Sequence, residues 1–229
     1  MRRFDFSAIS ALPLLRGAAA ATIDLLLRSA EFHRFQKQQI IVKEGDKPEF
    51  LYILTEGTVE LVANHNEQET TIDLLKACAP LALVAVLTDA MILCSARTIV
   101  PSTMLLFPAQ AVRAACARDG NFAQAALDEI AYRYEGSIRA LKNIKLRTSV
   151  ERLANWILQA VNDQGDGQGF ALEYDKGKIA SHLGMTPENF SRNLARLTKY
   201  GVRSSGRDIF IDDPIALSQF AKPSALLDG

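Results

Sequence analysis

Residues 178–197, KIASHLGMTPENFSRNLARL, restrict the fold more than any other part of the chain. Ile179, Ala180 and Leu183 share one helical face, Gly184 breaks the pattern, and Phe190, Leu194 and Leu197 resume it. Two short amphipathic helices joined by a tight turn can therefore close their apolar faces on each other. The second helix has a marked start, with Thr186 as a hydroxyl N-cap, Pro187 at the first helical position and Glu188 behind it. Its other face is polar and carries Glu188, Asn189, Ser191, Arg192 and Arg196.

Such a pair is either a helix-turn-helix, whose second helix offers its N-terminal residues to base edges in the major groove, or a plain helical hairpin with solvated charges. Charge distribution favours the first. From 178 to 207 the charged residues are Lys178, Arg192, Arg196, Lys199, Arg203 and Arg207 against Glu188 alone, whereas the whole chain balances 26 basic against 26 acidic residues. Positive charge gathered in one module of a neutral chain suits a phosphate backbone. Behind the hairpin, GVRSSGRDIFIDDP places a turn at Ser205 and Gly206 between extended runs at 202–204 and 208–211, which reads as a wing. The candidate DNA contacts are Thr186, Glu188, Asn189, Ser191 and Arg192 on the reading helix, with Lys199 and Arg203 holding the backbone.

The chain of 229 residues is long enough for one large or two modest domains, and a 48% hydrophobic content supports a packed core rather than disorder. Three widely spaced cysteines, Cys78, Cys94 and Cys116, argue against a disulfide framework and fit a reducing cytoplasm, with each read as a buried small hydrophobe. The opening MRRFDFSAISALPLLRG is a poor signal peptide, because Asp5, Pro13 and Arg16 interrupt its apolar stretch. The longest apolar run, 77–94, falls short of the roughly 20 residues a membrane span needs. It contains Pro80 and lies between strand-like segments, so it is expected to be a buried core or pocket wall, with no membrane partner.

Before that run, QQIIVKEGD, FLYILTEGTVELVAN and ETTIDLL are short β-rich segments, and Gly45 and Gly57 suit turns with positive φ. ARTIV and STMLLF continue the signal up to Pro108, so the first part is expected to be a sandwich or barrel. From 121 to 145 one long helix is expected, and Leu127, Ala131, Tyr134, Ile138 and Leu141 step along it by four and three as a heptad seam. The seam reads as a homodimer contact or, failing that, as a face lying on its own domain. A two-fold pair would set two reading helices about one DNA turn apart. A further helix, 148–161, turns Leu153, Trp156 and Ile157 inward under the reading module. The expected class is α+β: an N-terminal β-roll at 1–120 with flanking helices, a dimerisation helix and hinge at 121–145, and a winged helix-turn-helix at 146–229.

GDGQG at 165–169 alternates glycines, yet it follows a helix where a dinucleotide loop must follow a strand, and it reads as a flexible turn. Metal-ligand spacing, a nucleophile elbow and a phosphate loop are all missing from the sequence, so an enzyme is not expected.

In this order of parts the chain resembles the Crp/Fnr family of bacterial transcription regulators. EGDKPEFLYILTEGTVEL looks like that family's β-roll turns and TPENFSRNLARL like its recognition helix. The latter, with GRDIFIDD behind it, is most similar to the nitric-oxide-responsive denitrification branch. The resemblance implies a jelly-roll domain like those that bind cyclic nucleotides, a homodimer, a palindromic DNA operator, and contact with RNA polymerase if the protein activates. Glu188, Ser191 and Arg192 match the E-x-x-S-R pattern that in Fnr-type members reads half-sites like TTGAT. Pro187 stands where cAMP-receptor-type members carry a DNA-contacting arginine. Chemistry supports these roles: arginine grips guanine O6 and N7, glutamate accepts from cytosine N4, and a serine hydroxyl serves a base or a phosphate.

The resemblance also places the effector pocket. Where cyclic-nucleotide-binding members hold ribose and phosphate with a Gly-Glu pair and a later Arg-Ser or Arg-Thr pair, this chain has Leu83 or Val84 and then Cys94, leaving Ser95. A phosphate in an apolar pocket without a cationic partner is heavily penalised, which argues against cyclic AMP. Three cysteines outside the amino-terminal cluster spacing argue against an iron-sulfur cluster. Haem is permitted, with Cys78, His33 or His65 as ligands, as is a small apolar ligand or none. The competing reading is a ligand- or haem-binding module that acts through protein partners, with weak or no specific DNA binding.

Overall fold

The structure is a computed structural model that describes residues 12–164 and 169–228. Most of the opening segment and most of the GDGQG turn lie outside those residues. The chain divides into two compact units, one ending at Tyr134 and the other beginning at Glu135, so the division falls inside the long helix.

In the first unit, a turn of 3-10 helix at Pro13–Leu15 and helix α1 (Ala20–Arg28) lead into strands β1 (Glu31–Phe35), β2 (Ile40–Val42), β3 (Phe50–Glu56), β4 (Val59–His65), β5 (Gln68–Leu75) and β6 (Pro80–Leu81). Helix α2 (Leu83–Thr88), strands β7 (Ser95–Thr98) and β8 (Ser102–Pro108) and helix α3 (Ala109–Arg118) complete it, ahead of α4 (Gly120–Leu146). The strands form two four-stranded antiparallel sheets, ordered β1-β8-β3-β6 and β2-β7-β4-β5. Gly57 takes φ +98° between β3 and β4 and Gly45 takes φ +86°, the left-handed values expected of both. β1 gave no strand signal in the sequence, since its side chains are mostly exposed and do not alternate.

Strand β8 is buried on both faces, which explains its unbroken apolar run MLLF. With side chains alternating along each strand, Leu54, Met104 and Leu106 join Val59, Leu75 and Ala96 inside the roll. Leu51, Ile53, Leu105 and Phe107 turn the other way, onto Leu26, Val86, Val112 and Phe122 of the helices. Asp119 joins the two ends of this unit: its carboxylate accepts from the N–H groups of Ala19 (2.8 Å) and Asn121 (3.0 Å), capping α4.

The apolar run at 77–94 is only partly the buried wall expected of it. Ala79, Leu81, Leu83, Ala85 and Val86 are buried, whereas Cys78, Val84 and Met91 are exposed and Leu93 is 82% exposed. The six-residue α2 can turn only one face to the core. Beyond it, Ile92 is pinned inward by backbone hydrogen bonds to Gly45 and Asp46, which sends its two neighbours outward. The cysteines depart from expectation as well. All three are free thiols, but Cys78 sits in an exposed turn and Cys94 and Cys116 are half-buried, so none is a fully buried small hydrophobe.

The second unit contains the last turns of α4, then α5 (Ser149–Gln164), β9 (Gly169–Ala171), α6 (Lys176–His182), α7 (Pro187–Leu197), β10 (Val202–Ser205), β11 (Asp208–Ile211), α8 (Pro214–Ala221) and α9 (Ala225–Asp228). A reciprocal cap starts α5: the N–H of Thr148 donates to Glu151 (2.8 Å) and the N–H of Glu151 to the Thr148 hydroxyl (3.4 Å). Leu153, Ile157, Ile179, Phe190, Leu197, Val202, Ile209 and Leu217 build one core beneath the module, with Trp156 packed against it. The wing is a three-stranded sheet, β10-β11-β9. Its hairpin turn is Gly206-Arg207 between the paired Ser205 and Asp208, one residue beyond the turn expected at Ser205 and Gly206. The third strand, β9, was too short to leave a sequence signal.

Candidate nucleic-acid interface

Helices α6 and α7 are joined through Gly184 at φ +64°, as the break in the apolar pattern required. The start of α7 is built as its sequence dictates. Thr186 accepts from the N–H of Asn189 at 3.3 Å and Pro187 occupies the first turn. Phe190, Leu194 and Leu197 face the core, so the helix presents Glu188, Ser191, Arg192, Ala195 and Arg196 outward. Asn193, on the buried side, donates to the Ser149 hydroxyl at 3.0 Å and fixes the reading helix against the start of α5.

On the outward face, Arg192 donates at 2.8 Å to Oδ1 of the half-buried Asn189, one turn back, and this bond pre-orients the guanidinium. The Glu188 carboxylate is held below its ordinary value, first by its own backbone N–H, then by the Thr186 hydroxyl and the nearby Arg192 charge. It is therefore ionised and acceptor-only at neutral pH. Lys199 is exposed, with its ammonium 4.9 Å from the centre of the Tyr200 ring. Two wing arginines are less free than their sequence positions suggest. Arg203 is exposed but pairs with Asp212 at 3.2 Å and covers the Phe210 ring at 4.4 Å. Arg207 donates to the Leu172 carbonyl at 2.6 Å, a structural bond to the residue that follows β9. A phosphate at the wing would have to compete with Asp212 for Arg203.

One functional side chain left no sequence signal. Arg152, on the polar side of α5, donates to the carbonyls of Leu183 (2.8 Å) and Gly184 (3.0 Å) and so holds the turn of the helix pair. Burial lowers its pKa, yet an arginine remains charged at any physiological pH.

The seam residues Leu127, Ala131, Tyr134, Ile138 and Leu141 all lie exposed along α4, the four large ones at 39 to 66%. In the roll, the four residues at the expected effector position do not converge. Leu83 is buried in the core, Val84 faces outward, Cys94 is half-buried, and the Ser95 hydroxyl accepts from the N–H of Glu44 at 3.0 Å. Burial, and then the Glu44 charge, raise the Cys94 thiol pKa. The three residues weighed as haem ligands sit on separate elements. His33 on β1 pairs with Glu31 at 2.9 Å, His65 ends β4 in the other sheet, and Cys78 lies in the turn before β6.

This fold and this surface define a class: a β-roll followed by a long helix and a winged helix-turn-helix. The Cyclic nucleotide-binding domain family matches residues 32–119 and the Crp-like helix-turn-helix domain family matches residues 151–220. With both domains in this order, the chain is of the Crp/Fnr type and has the fold of its DNA-binding transcription regulators. FixK2 from Bradyrhizobium japonicum is similar in structure, with a TM-score of 0.73 at 20% identity over 86% of this chain and 99% of that one. The c-di-GMP responsive global regulator CLP of Xanthomonas campestris gives 0.72 at 14% identity over 84% and 99%. DNR from Pseudomonas aeruginosa gives 0.52 at 23% identity over 96% and 99%. At these identities the likeness is one of fold. No curated protein sequence matches the chain significantly. Among the described residues no helix is long and apolar enough to cross a membrane.

Proposed function

We propose that the protein is a homodimeric transcription regulator that reads a palindromic, Fnr-like operator, with TTGAT-type half-sites, through Glu188, Ser191 and Arg192. The observation that carries this reading is the outward face of α7: these three side chains are exposed on one side of a helix whose start is capped and whose back is bolted to α5. Arg192 supplies a guanine grip, Glu188 an acceptor for cytosine N4, and Ser191 a base or phosphate contact. Thr186, Asn189, Lys199 and Arg203 position and hold the backbone. The exposed seam of α4 supports pairing, since a long apolar stripe in water is costly unless another surface covers it. The form of the reading helix favours the nitric-oxide-responsive branch, and a role as activator would bring RNA polymerase to the promoter. In the roll, Leu83, Val84 and Cys94 offer neither carboxylate nor guanidinium, so the effector is taken to be something other than a cyclic nucleotide.

A salt titration of binding to a duplex carrying inverted TTGAT half-sites, against a scrambled duplex, tests the reading. Specific binding should be tighter by at least about 10³-fold at physiological salt. Equal affinity for both duplexes would instead support a sensory module acting through protein partners.

A further inference from the structure

We propose that segment 222–228 is a clasp that fixes the angle between the last turns of α4 and the reading module, and thereby the half-site spacing the dimer accepts. This rests on the DNA-reading function proposed above.

The joint between α4 and α5 is only two residues, Arg147 and Thr148, and a short joint between two helices is a natural hinge. Here it is strapped on both sides. From α4, Lys142 donates to the Leu226 carbonyl and Asn143 to the Leu227 carbonyl, both at 2.9 Å. From α5, Gln159 donates to the Asp228 carbonyl at 2.7 Å. At the joint itself, Arg147 grips both carboxylate oxygens of Asp228, the Nη2–Oδ2 bond being 2.7 Å, and its Nη2 also reaches the Lys222 carbonyl at 3.3 Å. The two charged side chains are only 7% and 12% exposed, and the Ser224 N–H donates to the same carboxylate. A two-pronged pair shielded from water is directional and costly to break, because the surviving charge is left without a partner.

The strap continues to the DNA-reading elements. The Arg147 carbonyl accepts from Arg152 at 2.8 Å, and Arg152 in turn holds Leu183 and Gly184 in the helix-turn-helix. A continuous series of charge-assisted bonds therefore runs from Asp228 to the turn that sets the pose of α7. The segment adds nothing to the core. None of the residues of α9 is buried, and Leu226 is 74% exposed. Its bonds are polar and converge on the joint, which is what placement requires and folding does not.

The test uses the full chain with Asp228→Asn, and Asp228→Glu as the conservative rescue. Amide hydrogen exchange is measured at 143–149 and 183–186, and affinity is measured for palindromes whose half-sites are moved apart or together by one base pair. For Asp228→Asn, exchange at both places should quicken by about tenfold, in line with losing a hydrogen bond to a charged group. The preference among spacings should flatten, and Asp228→Glu should restore both. Unchanged exchange overturns the clasp, as does an affinity loss equal at every spacing, which would mark a merely stabilising role. If the wild-type protein binds no palindrome, the DNA-reading function falls, and the exchange result alone still decides the clasp. Should Asp228→Asn fail to fold, Lys142→Met removes one exposed strap bond and must shift both readouts in the same direction by less.

Discussion

At the scale of single residues, the proposed function divides the polar side chains around α7 into those that read and those that hold. Arg192 sits one turn into the helix, pre-oriented by Asn189, and should discriminate bases. Arg192→Ala is expected to cost roughly 1 to 3 kcal/mol on the preferred operator and to relax its guanine preference. Lys199→Ala should weaken all sequences alike and flatten the salt slope by about one, because a phosphate contact carries no sequence information. Anisotropy titrations on matched and single-substituted duplexes separate the two, and equal loss of discrimination from both would show the groove contacts to be misassigned. Gly184 is a different kind of residue. Its φ of +64° lies where an L side chain is strained, although an added Cβ would meet its nearest atom, on the Ile144 side chain, at an ordinary 3.6 Å. Gly184→Ala should therefore destabilise by about 1 to 2 kcal/mol through backbone strain alone, leaving base preference intact, as urea unfolding and the same titrations would show.

At the scale of elements, what could be read in advance was whatever a local pattern had to satisfy. The cap at Thr186 and Pro187, the turn at Gly184, the glycines at 45 and 57 and the uninterrupted period of α4 are short-range requirements written into neighbouring residues. β1, β9 and the outward swing of Leu93 depend on partners far along the chain, as do the bonds of Arg147 and Arg152, so nothing nearby announces them. The wing turn falls one residue beyond the expected Ser205 and Gly206, because both of these suit turns and only the cross-strand pairing of Ser205 with Asp208 selects between registers. The seam on α4 is legible as a pattern, and its four large side chains lie exposed. Ile138→Asp would place an unpaired charge at the centre of the proposed contact, where desolvation is uncompensated. Sedimentation should then show monomer, with operator binding lost in step. A dimer of undiminished stability would move the interface to another surface.

At the scale of the whole molecule, the two domain matches pull apart in what they promise. On the proposed function the reading module offers Glu188, Ser191 and Arg192 to DNA, whereas the roll, which matches the Cyclic nucleotide-binding domain family, has Leu83, Val84 and Cys94 at the positions that the resemblance assigns to the nucleotide. A ligand that binds only the folded state stabilises it by RT ln(1 + [L]/Kd), about 2.7 kcal/mol at a hundredfold excess over Kd, which a melting curve resolves easily. Neither cyclic AMP nor cyclic GMP should shift the melting temperature. Val84 points to solvent and Leu83 into the helical core, so no carboxylate meets a ribose there, and Cys94 has no charge to offer a phosphate. Cys94→Arg alone should not create a site, since the ribose partner would still be missing and the nearby Glu44 carboxylate would compete with a phosphate for the new guanidinium. Calorimetry on the wild type and on Cys94→Arg tests both statements. A millimolar or tighter dissociation constant, indifferent to salt and to loss of the Ser95 hydroxyl, would mean that the roll grips a nucleotide with other groups, and that Leu83, Val84 and Cys94 do not occupy the pocket positions assigned to them.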